Sequence, residues 1–207
     1  MTDSTSQFDA ALLKSVNLYL IGMMGVGKTT IGRLLAKHLN YDFFDTDEFI
    51  ERATGQAIAT IFAESGEEIF RRLESATLSQ VCARTQKVIA TGGGIVLKPE
   101  NWSYLRHGII IWIDVPLDQL QRRLRNDSTR PLLQQSNLSE RLTSLMAQRE
   151  ALYAQADIRL TVHVNESASQ VATRILDTIA QECEKKRQAD EATQRLNAEL
   201  PFNVTPN

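Results

Sequence analysis

The chain has 207 residues, 43% of them hydrophobic and 23% charged, with a formal net charge of −2. Such a length and composition predict one α/β domain with a sizeable core, and the near-neutral charge gives no overall pull toward nucleic acid or an anionic membrane. Two cysteines, Cys82 and Cys183, stand far apart without a CxxC or zinc spacing, and read as reduced thiols of a cytosol-like compartment. No apolar run approaches the ~20 residues that a membrane helix needs. Residues 1–10 are polar and acidic with no Lys or Arg, unlike a signal or transit peptide.

Residues 1–7 read as disordered, with room for one helical turn over 8–14. Residues 17–21, Asn-Leu-Tyr-Leu-Ile, are a short apolar run stopped by Gly22, which predicts a buried strand. Residues 28–39 place Ile31, Leu34, Leu35 and Leu39 at helical spacing. A second strand is expected over 41–44, ending at Asp45, with short helices over 46–52 and 57–63. A longer helix is expected over 65–84, where Ser65 and Glu68 have capping-box spacing. Residues 87–90 form a third strand running into Gly92-Gly93-Gly94. Pro99 suits the first position of a helix over 99–105. Residues 109–115 are the most strand-like run, followed by a helix over 117–124 and a polar, turn-like stretch over 125–137. A helix over 138–154, a strand over 158–164 and a helix over 167–183 complete the pattern. Alternating strands and helices imply a parallel sheet covered on both faces.

The segment Gly22-Met23-Met24-Gly25-Val26-Gly27-Lys28-Thr29 fits GxxxxGK[ST] between a strand and a helix. Such a loop turns tightly, and its N–H groups and the following helix N-terminus hold a polyanion. Lys28 would reach the outer phosphates, and the Thr29 hydroxyl would complete a Mg²⁺ shell with phosphate oxygens and water. This predicts a bound nucleoside triphosphate and leaves the acceptor open. Asp45 and Asp47 follow the second strand, and Gly92 to Gly94 the third. Both fall where open α/β sheets bind ligands, beyond the carboxyl ends of strands. Asp47 could equally cap the helix that follows it. Arg71, Arg72, Arg130 and Arg149, taken singly, could be solvated surface residues. Arg122, Arg123, Arg125 and Arg130 cluster in sequence but lack the interleaved aromatics of a nucleic-acid surface. In a kinase, arginines can neutralise developing phosphoryl charge or hold a substrate carboxylate.

Taken together, the loop with Thr30-Ile31-Gly32-Arg33, Phe-Phe-Asp-Thr-Asp, Gly-Glu-Glu-Ile-Phe-Arg, Ala-Thr-Gly-Gly-Gly, Arg-Pro-Leu-Leu and Arg-Glu-Ala-Leu-Tyr resemble shikimate kinase over about residues 17–180. The resemblance implies a five-stranded parallel sheet of the nucleoside monophosphate kinase type. It also implies transfer of the ATP γ-phosphoryl group to the 3-hydroxyl of shikimate. By that pattern, Gly25, Val26, Gly27, Lys28, Thr29 and Thr30 hold the nucleotide, with Arg123 near adenine and Arg130 on a lid over the phosphates. Asp47, Arg71, Gly93 and Arg149 bind shikimate, the two arginines taking its carboxylate and Asp47 its reacting hydroxyl. Thr29 and Asp45 serve Mg²⁺, and Lys28, Asp47 and Arg130 form the catalytic set. The implied organisation is an extension over 1–14, a kinase domain over 15–182 with its lid at about 122–137, and a charged tail over 183–207. Family members are usually monomeric, so a cytoplasmic monomer without nucleic-acid or membrane partners is expected. The family commonly has Arg-Asn-Pro-Leu-Tyr where this chain has Arg149-Glu150-Ala151-Leu152-Tyr153, and often Ser where Thr29 stands. A kinase for another small acceptor such as gluconate, or a nucleotide-binding module without chemistry, are the competing readings.

Overall fold

The apolar runs pair into one sheet in the computed structural model, which describes residue 13, residues 15–125 and residues 137–199, with side chains described to residue 195. The strands are β1 (Asn17–Ile21), β2 (Asp42–Asp45), β3 (Lys87–Ala90), β4 (Gly108–Asp114) and β5 (Ile158–Thr161). Their spatial order is β2-β3-β1-β4-β5, and every pairing is parallel. Leu20 lies between Ala90 on one side and Ile111 on the other, so the carboxyl ends of β1, β3 and β4 finish close together. β1 and β3 are buried at every position, as parallel strands covered on both faces must be. β5, at the sheet edge, alternates buried and exposed residues.

Seven helices accompany the sheet among the described residues: α1 (Lys28–Leu39), α2 (Thr46–Thr54), α3 (Ile58–Cys82), α4 (Pro99–Leu105), α5 (Leu117–Leu124), α6 (Leu138–Tyr153) and α7 (Ala168–Glu199). α1 packs against β2 so closely that a Cβ on Gly32 would lie 2.6 Å from the Phe43 ring. Ile50, Ile61 and Phe70 form a separate small core, joined by Ile58, Phe62 and Leu73. This satellite core binds α2 to α3 apart from the main core around the sheet.

The two helices expected over 57–63 and 65–84 are one span, kinked where Gly66 adopts φ 82°, ψ 169°. That conformation is open essentially only to glycine, which explains why the break falls beside the expected boundary. β5 stops at Thr161 rather than 164. Beyond Cys183, where a frayed helix and a disordered tail are expected, α7 continues to Glu199, and residues 200–207 lie outside the described residues. The ion pairs Lys185–Glu182, Arg187–Glu184 and Arg187–Glu191 sit at helical spacing along that extension. Residues 1–7, the expected turn over 8–14 except residue 13, and the segment 126–136, which contains Arg130 and most of the expected lid, lie outside the described residues.

Candidate active site

The phosphate loop leaves β1 at Gly22, whose φ of 134° an L side chain rarely adopts. A Cβ there would also lie 2.5 Å from the Ile113 carbonyl oxygen. At the far end of the loop Gly27, with φ 99°, caps α1 and accepts from Ile31 N–H at 2.9 Å. Lys28 folds back, and its Nζ donates to the carbonyl oxygens of Gly22 and Met23, each at 2.8 Å. The ammonium is therefore held against the loop it belongs to, in reach of an anion cradled there. Arg123, at the end of α5, donates to the Val26 carbonyl at 3.3 Å, which ties this arginine to the loop. Arg122 instead pairs with Asp118 on the exposed face of α5. Arg122 and Arg123 of the sequence cluster thus have different partners, and Arg130 lies outside the described residues.

Asp45, the last residue of β2, has two tasks. Its Oδ1 accepts from the N–H groups of Asp47 (3.0 Å) and Glu48 (3.4 Å), so Asp45 is the N-cap of α2. Its Oδ2 accepts from the Thr29 hydroxyl at 2.6 Å. The capping alternative considered for Asp47 therefore belongs to Asp45, and Asp47 stands in the first turn of α2 beside the cavity. Thr29 and Asp45 together offer two hard oxygen donors in contact. No cluster of three or more His, Cys, Asp or Glu side chains suited to a metal occurs among the described residues. Such a sparse pair suits Mg²⁺, which takes one or two protein oxygens and completes its shell with phosphate and water.

One cavity of about 550 Å³ joins these groups. The phosphate-loop side contributes Met24 and Thr29; the other side contributes Asp47, Arg71, Glu74, Gly93 and Arg149. Arg71 is 5% exposed and Arg149 2%, which rules out the solvated reading for both. Arg72, by contrast, pairs with Glu68 on the open surface. Arg71 Nη1 bonds Glu74 at 2.7 Å and its Nη2 bonds Glu67 at 3.0 Å. Burial alone would lower the Arg71 pKa, but Glu74 and Glu67 outweigh it and hold the guanidinium above its usual value. Glu74 is wholly buried, and that desolvation pushes its carboxyl up to about 7, with Arg71 pulling the other way.

The three glycines are explained by what crowds them. A Cβ on Gly92 would collide with Glu74 Oε1, and one on Gly94 with the Arg71 guanidinium. Gly92 N–H donates to the Thr46 hydroxyl at 3.0 Å, joining this turn to α2. The Gly93 carbonyl accepts from Tyr153 Oη at 2.5 Å and from Arg149 Nη1 at 3.1 Å. Two buried polar atoms facing this region, Glu74 Oε1 and Arg149 Nε, have no hydrogen-bond partner among the described residues. Buried groups of that kind are costly unless something else satisfies them, which fits a polar ligand in the cavity.

Neither Glu74 nor Tyr153 was singled out from the sequence. Each had a signal: Glu74 lies three residues after Arg71, and Tyr153 four after Arg149, so each shares a helix face with its arginine.

A phosphate loop at the head of the central strand in a sheet of order 2-3-1-4-5, opening into a cavity with buried arginines, defines a P-loop kinase of small molecules. Comparison with known proteins narrows the class. The shikimate kinase family model matches residues 24–180. The chain is 57% identical over 170 residues to the shikimate kinase of Nostoc punctiforme, covering 82% of this chain and 94% of that protein. It is 55% identical over 170 residues to that of a Nostoc species, with the same coverage. Among solved structures, shikimate kinase from Acinetobacter baumannii in complex with shikimate is 38% identical with a TM-score of 0.78, covering 83% of this chain and 97% of that one. The chain belongs to the shikimate kinase family, whose members are ATP-dependent kinases.

Proposed function

We propose that the chain transfers the γ-phosphoryl group of ATP to the 3-hydroxyl of shikimate, giving shikimate 3-phosphate and ADP on the route to chorismate and the aromatic amino acids. One observation carries this reading: the buried arginines Arg71 and Arg149 line the same cavity as Thr29 of the phosphate loop. A carboxylate held by the arginines would place a hydroxyl of the same small molecule toward the phosphates.

In this reading the backbone of Gly25, Val26 and Gly27, with Lys28, Thr29 and Thr30, holds the ATP phosphates, and Arg123 lies against the adenine. Arg71 and Arg149 hold the shikimate carboxylate, and Gly93 also binds shikimate. Asp47 orients the 3-hydroxyl, whose oxygen bonds to Pγ as the bond from Pγ to the bridging oxygen of ADP breaks. The transition state for such transfers is usually loose, so Asp47 takes the hydroxyl proton late and contributes more by orientation than by basicity. Lys28 and Arg130 neutralise charge on the transferring group. Mg²⁺, when bound through Thr29 and Asp45, supplies further neutralisation of the phosphate oxygens. The 122–137 segment carries Arg130 over the nucleotide, and the catalytic unit is a cytoplasmic monomer spanning residues 15–182.

The test is a coupled ADP-release assay with a panel of hydroxy acids. ADP release should depend on shikimate. Equal or faster turnover with gluconate, or ADP release indifferent to any acceptor, would contradict the assignment.

A further inference from the structure

Two side chains of α6 converge on the Gly93 carbonyl in the cavity wall, Tyr153 at 2.5 Å and Arg149 at 3.1 Å. The tyrosine is fully buried, and burial pushes its hydroxyl up to about 12, so it remains a protonated donor throughout the working pH range. Its ring lies 5.7 Å from that of Trp112 on β4, and its hydroxyl is 3.8 Å from Met23 Sδ in the phosphate loop. Tyr153 thus touches the glycine turn, the sheet and the phosphate loop at once. Packing alone requires only the ring. The hydroxyl makes the shorter of the two bonds to Gly93, although Arg149 is already there to satisfy that carbonyl.

We propose that Tyr153 is a positioning residue for the phosphoryl acceptor: by donating to the Gly93 carbonyl alongside Arg149 it keeps that carbonyl satisfied when Arg149 turns to the acceptor carboxylate, and it fixes the turn that faces Asp47 and Glu74. This rests on the reading of Arg149 given above. A peptide group is planar and trans, so holding the Gly93 oxygen toward α6 also holds the Gly94 N–H in the opposite direction. Without the hydroxyl, Arg149 is the sole remaining α6 donor to this part-buried carbonyl among the described residues. Leaving such a carbonyl unsatisfied is unfavourable, so the guanidinium is retained on Gly93 and competes poorly for substrate. Tyr153 therefore acts through Arg149 and the glycine turn, without itself touching the acceptor.

Tyr153→Phe removes the hydroxyl and keeps the ring against Trp112. The expected result is a KM for shikimate raised about tenfold, the cost of about one hydrogen bond. The KM for ATP should stay within about twofold, because the hydroxyl reaches the phosphate loop through the long 3.8 Å contact with the Met23 side chain and not through its backbone cradle. In an Arg149→Ala background the same change should add little, since both act through one contact, a non-additivity that a structural role would not give. An unchanged KM for shikimate, equal rises in both KM values, additive effects in the double variant, or a Tyr153→Phe protein too unstable to assay would each overturn the proposal. If shikimate gave no turnover with the unaltered chain, the acceptor assignment itself would have failed, which is a different result.

Discussion

Glu74 sits fully buried one helical turn along α3 from Arg71, and its Oε2 is 2.7 Å from that guanidinium. Removing either partner would leave a buried charge, which typically costs about 3–5 kcal/mol. The surroundings of Glu74 fix the sign of a pH effect. The charged groups facing it are Arg71, Asp47 and Arg149. Its carboxyl titrates at about 7 in the fold against a reference of 4.5, because desolvation outweighs Arg71. The native state therefore binds more protons than the unfolded chain in that window. Stability contributed by this group is fully present below about pH 4.5 and is lost as pH rises through about 7. Glu74→Gln should flatten that part of the profile in denaturant titrations run at a series of pH values. A slope unchanged by the substitution would assign the titration to another residue. The same residue shows what a linear sequence conceals. A glutamate three places from an arginine is an ordinary surface pair in most helices, as Glu68 and Arg72 are here. Only the packing of Gly92 against Glu74 marks this one as part of a site.

The elements were legible where a single periodicity ruled and less so where local conformations interrupted it. The phosphate loop, Asp45, Asp47 and the triple glycine stand at strand ends, so alternation of strands and helices was enough to bring them to one edge of the sheet. For α3 the sequence places a break between 63 and 65, and the backbone departs from helix at Gly66 within one span. Gly66 is also informative because nothing lies within 4 Å of where its Cβ would be. A substitution there tests backbone conformation without a steric clash. Gly66→Ala should lower stability by about 1–3 kcal/mol, the usual cost of holding a side-chain-bearing residue in that region. The kink aims Ile61 and Phe62 at α2, so the loss should be accompanied by weaker shikimate binding through the satellite core. A thermal melt and a shikimate titration read the two effects. A variant as stable as the parent would show that the kink carries no strain and is dispensable.

At the scale of the molecule, the two halves of the cavity come from different cores. The donor half rides on β1 and α1, within the main core around the sheet. Much of the acceptor half rides on α2 and α3, bound to each other by Ile50, Ile61 and Phe70. Thr29–Asp45 and Arg33–Glu48 are two polar contacts that cross from α1 to the strand end and helix of the acceptor side, at 2.6 Å each. The sequence identified both halves but not their joints, because joints depend on long-range contacts that leave no local period. The long α7 was misjudged for a related reason. Its first part packs on α1 and buries Val171, Ile175 and Ile179, whereas its extension is held by exposed charge pairs that look like a solvated tail in sequence. Whether the two halves act on one substrate pair is settled most directly by following phosphorus. With ATP, Mg²⁺ and shikimate, ³¹P NMR should show loss of the γ-phosphate of ATP matched by growth of one phosphate monoester resonance that couples to the proton on C3 of shikimate. Conversion of the γ-phosphate to inorganic phosphate with no such monoester would contradict it.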